Sequence, residues 1–281
     1  MLLRIATCRR LPEPDPDEEL LLQALRARKV DARMAGWNDP GERWSEPVPT
    51  VIRSTWDYVH DLERFLAWAQ QAEAVAPLWN AFSVVRWNAH KRYLNELERA
   101  GHPVVPTEFV EKGSRASLTS IARERAWNDI VVKPAVSAGS FGTRRFGIAD
   151  LREGEQHLAA LLVEGDAMVQ RYVESVDGHG ERALVWIDGA FTHAVRKTAR
   201  FTGQEEHVSP AVPIEADELA LGQAVVAPWS AQLLYARVDL TRDARGRPMI
   251  MELELIEPSL FLLQSPAALK RLVDGICRRL R

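Results

Sequence analysis

The sequence predicts a mixed fold in which an α/β domain is followed by an α+β region. In the first 82 residues, short apolar strand segments alternate with amphipathic helical segments, a pattern typical of a parallel sheet. From about residue 166 the chain is rich in strand segments that short turn signals connect. With 281 residues and 46% apolar residues, the chain can bury the cores that such a fold needs.

The first 82 residues are predicted to form one small α/β domain. Its first helix begins at Asp17, Glu18 and Glu19, whose charges suit the positive end of a helix dipole. Its second helix covers 62–74 and has an apolar face. The strands of this domain are predicted at 2–8, 30–34 and 50–53.

The elements after residue 82 are predicted from apolar runs, caps and turns. One helix over 89–100 ends at Gly101, and Asp150 with Glu153 indicates a capping box for a helix that runs to 163. The other predicted helices cover 115–126, 215–227 and 266–280. The predicted strands cover 107–110, 129–133, 167–173, 182–187, 191–197, 233–241 and 248–255. Hairpin turns are predicted at 188–189 and 243–246.

Composition and charge exclude several classes of protein. The formal net charge of −3 argues against a nucleic-acid groove, and no apolar run approaches the ~20 residues that cross a bilayer. The apolar part of the first residues is too short for a signal peptide, so we expect a cytoplasmic protein without a membrane partner. Cys8 and Cys277 supply neither a disulfide framework nor a CxxC metal site.

A loop of small residues follows the strand that ends at Lys133. Small residues let backbone N–H groups approach phosphate oxygens, and the lysine adds a positive charge, so Ser137, Gly139 and Ser140 are candidate phosphate-binding residues. Neither a P-loop nor a GxGxxG pattern is present. An ordinary glycine-rich hairpin turn explains the loop equally well.

Three carboxylates lie on two neighbouring predicted strands. Glu252 and Glu254 are two residues apart and face the same side, and Asp239 on the adjacent strand can complete a cluster. Repulsion makes such a cluster costly without a cation, and oxygen ligands suit Mg²⁺. Arg237 lies on the same face and can hold a developing oxyanion. A solvated strand face that carries charges is the alternative.

Two further groups of polar residues are candidate substrate contacts. The predicted hairpin carries Glu181, Arg182, His193 and Lys197, but the histidine lacks metal-ligand partners at a suitable spacing, so we expect it at the surface. A strand of the first domain ends in a polar cluster where ligands of α/β sheets gather. Its candidate residues are Arg53, Ser54, Thr55 and Asp57. The alternative is a set of helix caps above a packed Trp56.

Taken in order, these segments resemble an ATP-grasp enzyme. The resemblance rests on the lysines of WNAHKRYL and VVKPAVSAGSFG, on the segment MVQRYVE, and on the carboxylates of ARVDL and MELE. It covers nearly the whole chain and is closest to the glutathione-synthetase-like branch. Within that branch, RSTWDY and the hairpin resemble the subgroup that contains the D-cycloserine biosynthesis ATP-grasp enzyme.

The resemblance implies a pre-grasp domain over 1–82 and an ATP-grasp domain over 83–281, whose subdomains, about 83–165 and about 166–281, hold ATP between them. It implies that Lys91 and Lys133 contact ATP phosphates, that Glu181 lies by the ribose or phosphate, and that Arg237 stabilises a tetrahedral intermediate. The residues implied at the adenine are Gln170, Tyr172 and Val173. Those implied as ligands of two Mg²⁺ are Asp239, Glu252 and Glu254. Those implied at the triphosphate or acceptor are Lys197 and His193.

The implied activity is that of an ATP-dependent ligase. A small-molecule carboxylate becomes an acylphosphate, and an amine or a thiol then attacks it, with release of ADP and phosphate. The alternatives are an enzyme that closes a ring within one substrate molecule and a nucleotide-binding module without catalytic activity. The resemblance is also compatible with a homodimer. An NAD(P)-linked oxidoreductase is disfavoured because no glycine follows the first strand. The chain also departs from many relatives, since Glu254 replaces an asparagine and no glycine follows it.

Overall fold

A computed structural model describes residues 1–198, 201 and 207–281 of the protein. Within these residues the strands form three four-stranded sheets, which confirms the predicted mixture of α/β and α+β structure. One sheet is parallel and the other two are antiparallel.

The first sheet is parallel and has the order β2-β1-β3-β4. Its strands are β1 (Leu2–Thr7), β2 (Asp31–Gly36), β3 (Thr50–Ile52) and β4 (Leu78–Trp79). Helix α1 (Glu18–Ala27) connects β1 to β2, and α2 (Leu62–Val75) precedes β4. The two-residue β4 is too short for the sequence pattern to reveal, and only its pairing with β3 defines it.

The single helix predicted over 89–100 is wrong. The structure has two short helices, α3 (Phe82–Asn88) and α4 (Tyr93–Arg99), separated by a turn that contains Lys91. The backbone N–H of Lys91 donates to the carbonyl of Ala135 at 2.9 Å. This tertiary hydrogen bond replaces a helical one, so the chain turns at the point where the lysine enters the site.

The second sheet is antiparallel and has the order β5-β8-β6-β7. Its strands are β5 (Thr107–Val110), β6 (Asp129–Pro134), β7 (Arg144–Gly147) and β8 (Ala167–Arg171), and β7 was not predicted. Helices α5 (Leu118–Arg125) and α6 (Leu151–Glu164) pack on it. The side chain of Asp150 makes no capping hydrogen bond, contrary to the predicted capping box. Because β8 pairs with β5 and β6, we propose that the subdomain boundary lies after β8, not near 165.

The third sheet is antiparallel and has the order β10-β9-β11-β12. The short helix α7 (Ser175–Gly178) precedes β9 (Glu181–Ile187) and β10 (Ala190–Lys197), which the predicted turn at 188–189 joins. Helix α8 (Ala216–Val226) leads to β11 (Tyr235–Arg242) and β12 (Pro248–Glu254), which the predicted turn at 243–246 joins. Helix α9 (Pro266–Arg279) follows.

The third sheet is covered on both faces. One face packs its apolar residues with α1, α9 and the first sheet, and the other packs on α8 and α4. Alternation along β9 separates the two faces, since Val185 belongs to the first core and Leu184 to the second. In the part of the chain that the structure describes, no helix combines the length and apolar character needed to span a membrane.

Candidate active site

A cavity of about 470 Å³ lies where strands of the second and third sheets meet the segments that follow β1 and β3 of the first sheet. The turn before α4, the small-residue loop after β6, the end of β8, the hairpin β9–β10 and the strands β11 and β12 all contribute to its lining. Fifteen predicted site residues line it: Asp57, Lys91, Lys133, Ser137, Gly139, Ser140, Gln170, Tyr172, Val173, Glu181, Lys197, Arg237, Asp239, Glu252 and Glu254.

The register of β11 and β12 places the three predicted carboxylates together. Asp239 is paired with Glu252, and Arg237 is paired with Glu254. Paired residues of antiparallel strands point to the same face, so all four side chains face the cavity. A bulge follows Asp239, which ends this arrangement at the next residue.

Two lysines from different parts of the chain converge on Glu252. Lys133 at the end of β6 and Lys91 before α4 each contact one of its carboxylate oxygens, the latter at 3.1 Å. Burial alone would raise the pKa of Glu252, but the two lysines outweigh it and hold that pKa below its ordinary value. The carboxylate is therefore ionised and neutralised by two ammonium groups.

A second group of ion pairs surrounds Asp239. Arg237 donates from Nε and Nη2 at 2.8 Å, and Lys197 donates at 2.8 Å. Burial would raise the pKa of Asp239, but Arg237 and Lys197 lower it below its ordinary range. Lys197 also contacts Glu181 at 2.6 Å. Burial, together with the negative charge of the nearby Asp239, raises the pKa of Glu181 to about 7.

These residues fit Mg²⁺ and a polyphosphate. Asp239, Glu252 and Glu254 supply only oxygen donors, which are the ligands that Mg²⁺ prefers. Each of the three contacts a lysine or an arginine, so cations of the chain itself compensate the negative charges of the cluster.

The small-residue loop after β6 has an unusual backbone. Gly139, Ser140 and Gly142 have φ values of 57°, 62° and 66°, the left-handed region that favours glycine. A side chain on Gly142 would also meet Pro134 at 3.0 Å. At the tip of the loop, Phe141 is 52% exposed and its ring meets that of His60 edge-on. The loop thus reaches across the cavity to the first 82 residues.

The end of β8 supplies a more apolar part of the lining. Gln170 donates to the hydroxyl of Thr107 at 3.0 Å, which fixes its side chain. Arg145 stacks on the ring of Tyr172 at 3.5 Å, and the tyrosine hydroxyl donates to Asp177. Such a lining, with apolar atoms and an aromatic ring, suits a flat heterocycle.

Two of the hairpin candidates lie elsewhere, since neither Arg182 nor His193 is among the described residues that line the cavity. Arg182 lies on the opposite face of the sheet and donates to Glu218 at 3.0 Å and to the carbonyl of Pro213 at 2.6 Å. The surface position expected for His193 is wrong, because the residue is only 6% exposed and burial lowers its pKa.

The cluster after β3 is divided between packing and the cavity. Arg53 is buried, donates to the carbonyl of Pro258 at 2.9 Å and lies over the ring of Tyr235. Ser54 and Thr55 are fully buried, whereas Asp57 lines the cavity. The helix-cap alternative is wrong, since the cap of α2 is supplied by a later residue, Asp61.

Besides Glu13, which is exposed, sequence reasoning missed one carboxylate of the cavity, Glu257. It is 9% exposed, and burial together with Glu254 raises its pKa to about 8. The strand alternation ends at Glu254, and the next two residues, Leu255 and Ile256, are both buried. This break in period was the available signal that a further side chain turns into the site.

Comparison with known proteins agrees with this geometry. The family model for the N-terminal domain of D-cycloserine synthetase DcsG matches residues 3–80. The cycloserine biosynthesis protein DcsG of Streptomyces lavendulae is 34% identical over 285 residues, covering 95% of both chains. The chain belongs to the DcsG subgroup of the ATP-grasp superfamily. It is accordingly an enzyme, an ATP-dependent ligase of a family that uses ATP and Mg²⁺.

Solved structures agree with the DcsG assignment. The crystal structure of D-cycloserine synthetase DcsG has a TM-score of 0.91 and 32% identity, with full coverage of both chains. The D-alanine–D-alanine ligase of Bacillus anthracis in complex with ATP has a TM-score of 0.68 and 14% identity, covering 99% of this chain and 96% of its own. The latter likeness shows the ATP-grasp fold alone.

Proposed function

We propose that the enzyme activates the carboxylate of a small amino-acid derivative with ATP and closes a ring within the same molecule. The substrate carboxylate attacks the γ-phosphoryl group, giving an acylphosphate and ADP. A nitrogen of the same substrate then attacks the acyl carbon, and phosphate leaves. The carboxylate cluster with its four cations carries the activation step, and the 34% identity with DcsG along 95% of both chains favours ring closure.

The phosphate side of the proposed site consists of Lys91, Lys133 and the small-residue loop. The two ammonium groups compensate phosphate charge, and backbone N–H groups of Ser137, Gly139 and Ser140 are suited to phosphate oxygens. Bound Mg²⁺, two ions in this proposal, would be held by Asp239, Glu252 and Glu254 and would add neutralisation of phosphate charge.

The acyl side of the proposed site is centred on Arg237. Its guanidinium already spans two carboxylates, Asp239 and Glu254, and its fixed orientation suits an oxyanion that develops on the acyl carbon. Lys197 holds Asp239 and Glu181 in place beside it. Closure of the small-residue loop would exclude water, which protects the acylphosphate from hydrolysis.

The nucleotide side of the proposed site is the end of β8. Gln170, Tyr172 and Val173 would lie by the adenine, and Glu181 by the ribose or the phosphates. This placement of the nucleotide is supported by the position of these residues, which together line the more apolar part of the cavity, next to the lysines that suit the phosphates.

The test is ADP release from Mg-ATP with O-amino-D-serine, the compound obtained by adding water across the ring amide of cycloserine. We expect ADP in equal amount to a product that has lost one water. If the product instead joins two substrate molecules, the reaction is linear ligation and not ring closure. Linear ligation is the second activity open to this fold. Absence of substrate-dependent ADP across a panel of amino-acid derivatives, with ATP binding intact, would contradict the proposal.

A further inference from the structure

Strand β12 carries two of the three proposed metal ligands and lies at the edge of the third sheet. One side of its backbone pairs with β11, and on the other side the described residues add one isolated bridge, between Val104 and Ile250. Leu253 and Leu255, the residues on either side of Glu254, are fully buried. Because a buried backbone group without a hydrogen-bond partner is costly, their outward-facing N–H and C=O groups depend on other parts of the chain.

Side chains of the short helices α3 and α4 supply these partners. Asn88, at the end of α3, donates from Nδ2 to the carbonyl of Leu253 at 2.8 Å and accepts at Oδ1 from the N–H of Leu255 at 2.8 Å. The hydroxyl oxygen of Tyr93, at the start of α4, accepts from the N–H of Leu253 at 3.1 Å. Asn88 thus bridges the two residues that flank Glu254, in the way that a neighbouring strand would.

The turn between these two helices also contacts the side chain of Glu252. Lys91, which lies between Asn88 and Tyr93 in the sequence, contacts one of its carboxylate oxygens at 3.1 Å. All three residues of the turn are at most 8% exposed, and all three line the cavity. One short segment therefore holds β12 by its backbone and holds a carboxylate of the same strand by its charge.

A fixed backbone is important for residues that bind a small cation. Mg²⁺ demands near-ideal octahedral geometry, so its ligands must lie at defined distances from one point. Ligands that are ordered before binding lose less free energy when the ion arrives than ligands that must first be ordered. With Leu253 and Leu255 held, Glu252 and Glu254 need to adjust only their side chains.

We propose that Asn88 and Tyr93 are positioning residues for the Mg²⁺ site, which fix the spacing of Glu252 and Glu254 and thereby set the affinity for the metal. This inference rests on the proposed function and concerns the metal site within it. If the two residues served only the stability of the fold, their loss would leave the effect of Mg²⁺ on nucleotide binding unchanged in the folded protein. A positioning role predicts that this effect weakens.

The test is calorimetric binding of ADP with Mg²⁺ and, separately, with EDTA. The ratio of the two affinities measures the gain that the metal gives. We expect a gain of about tenfold or more in the wild type, most of which N88A loses, because residues that support metal ligands typically contribute about 10- to 100-fold to metal affinity. In EDTA, both proteins should bind ADP alike. N95A, the same substitution on α4, provides the matched control and should keep the gain.

Each other outcome overturns the assignment. An unchanged gain in N88A, an equal loss of ADP affinity with Mg²⁺ and with EDTA, or no gain in the wild type would show that Asn88 does not position metal ligands. If N88A does not fold, Y93F takes its place, since it removes one hydroxyl group and keeps the ring. A gain in Y93F equal to that of the wild type then contradicts the proposal.

A second control separates positioning from stability. E218Q breaks buried ion pairs on the other face of the sheet, so it should lower the stability of the protein and keep the gain from Mg²⁺. Loss of the gain in E218Q as well would assign the effect to stability and overturn the proposal.

The ADP-release assay distinguishes this inference from the proposed function. Turnover of an amino-acid derivative, together with an unchanged gain in N88A, would remove the role of Asn88 and leave the ligase proposal standing. A gain from Mg²⁺ that depends on Asn88, without ADP release from any amino-acid derivative, would do the reverse.

Discussion

The two faces of the third sheet carry similar ionic groups in different settings. On one face, a cavity cluster consists of Lys91, Lys133, Lys197, Arg237, Glu181, Asp239, Glu252 and Glu254. On the other, a helix-side cluster consists of Arg182, Arg242, Glu215, Asp217 and Glu218. Both contain buried carboxylates held by cations, but of the residues that the structure describes, those of the cavity cluster line the cavity and those of the helix-side cluster do not.

An ion pair by itself therefore does not indicate a functional site. In the helix-side cluster, Glu218 at the start of α8 contacts both Arg182 and Arg242, so the pairs connect the helix to the sheet. In the cavity cluster, the ion pairs line the cavity, where the atoms of a ligand have access to them. Variants of the two clusters should therefore fail in different ways.

The largest effect is expected when the cavity cluster loses Lys133. We expect K133A to lower substrate-dependent ADP release by about a thousandfold, because phosphate charge loses a fixed partner. E252Q should be similarly damaged, and K133R should also be impaired because a planar guanidinium does not replace a compact ammonium. Lys270 on α9 offers the matched control, and K270R should keep normal activity. Near-normal turnover in K133A would contradict the assignment.

In the helix-side cluster the expected effect is on stability. Glu218 is 1% exposed, and E218Q leaves Arg182 buried beside a neutral partner. We expect the free energy of unfolding in urea to fall by about 3–5 kcal/mol. Activity per folded molecule should stay near that of the wild type. If E218Q lost activity and kept its stability, the division between the two clusters would be wrong.

This division was only partly visible in the sequence. Period-two alternation was enough to place Glu252 and Glu254 on one face, and the turn at 243–246 was enough to bring Asp239 beside them. Arg182 was proposed for the site because alternation does not tell which face of a two-sided strand meets the cavity, and α8 covers its face.

Tertiary contacts explain the remaining differences. The turn at Lys91 depends on a hydrogen bond to a carbonyl more than 40 residues away in the sequence. The local sequence pattern does not contain this contact, so it predicted one continuous helix across the turn. Glu257 follows the end of β12, where distant side chains such as Trp56 and Arg53 fix the backbone. His193 is buried and its imidazole interacts with the backbone of Phe261, a residue far along the chain, which its own strand does not reveal.

A smaller effect is expected from pH. The pKa of Glu257 is about 8 in the folded protein against an ordinary value of 4.5. At pH values between these two, the folded protein keeps the proton of this carboxyl group and the unfolded chain has lost it. Its stabilising contribution is therefore complete below about pH 4.5 and is lost as pH rises through about 8.

Urea unfolding between about pH 5 and about pH 8 measures this contribution. The free energy of unfolding should decline with pH by at most about 1.4 kcal/mol per pH unit from this group, and E257Q should lack that decline. Parallel pH profiles for E257Q and the wild type would contradict the raised pKa.

The smallest effect is expected at the loop tip. F141A removes the edge-on contact with His60 but leaves the backbone of the loop unchanged. We expect a change of only a few-fold, seen as more ADP released per product because water reaches the acylphosphate more often. A ratio of ADP to product equal to that of the wild type would show that the contact does not help to close the site.

The central claim is that the cavity cluster transfers the γ-phosphoryl group to a substrate carboxylate. It is tested most directly with O-amino-D-serine labelled with ¹⁸O in its carboxylate. When nitrogen attack releases phosphate from an acylphosphate, one carboxylate oxygen leaves with it, so the inorganic phosphate should carry one ¹⁸O per turnover by mass spectrometry. Unlabelled phosphate formed together with product would contradict the account.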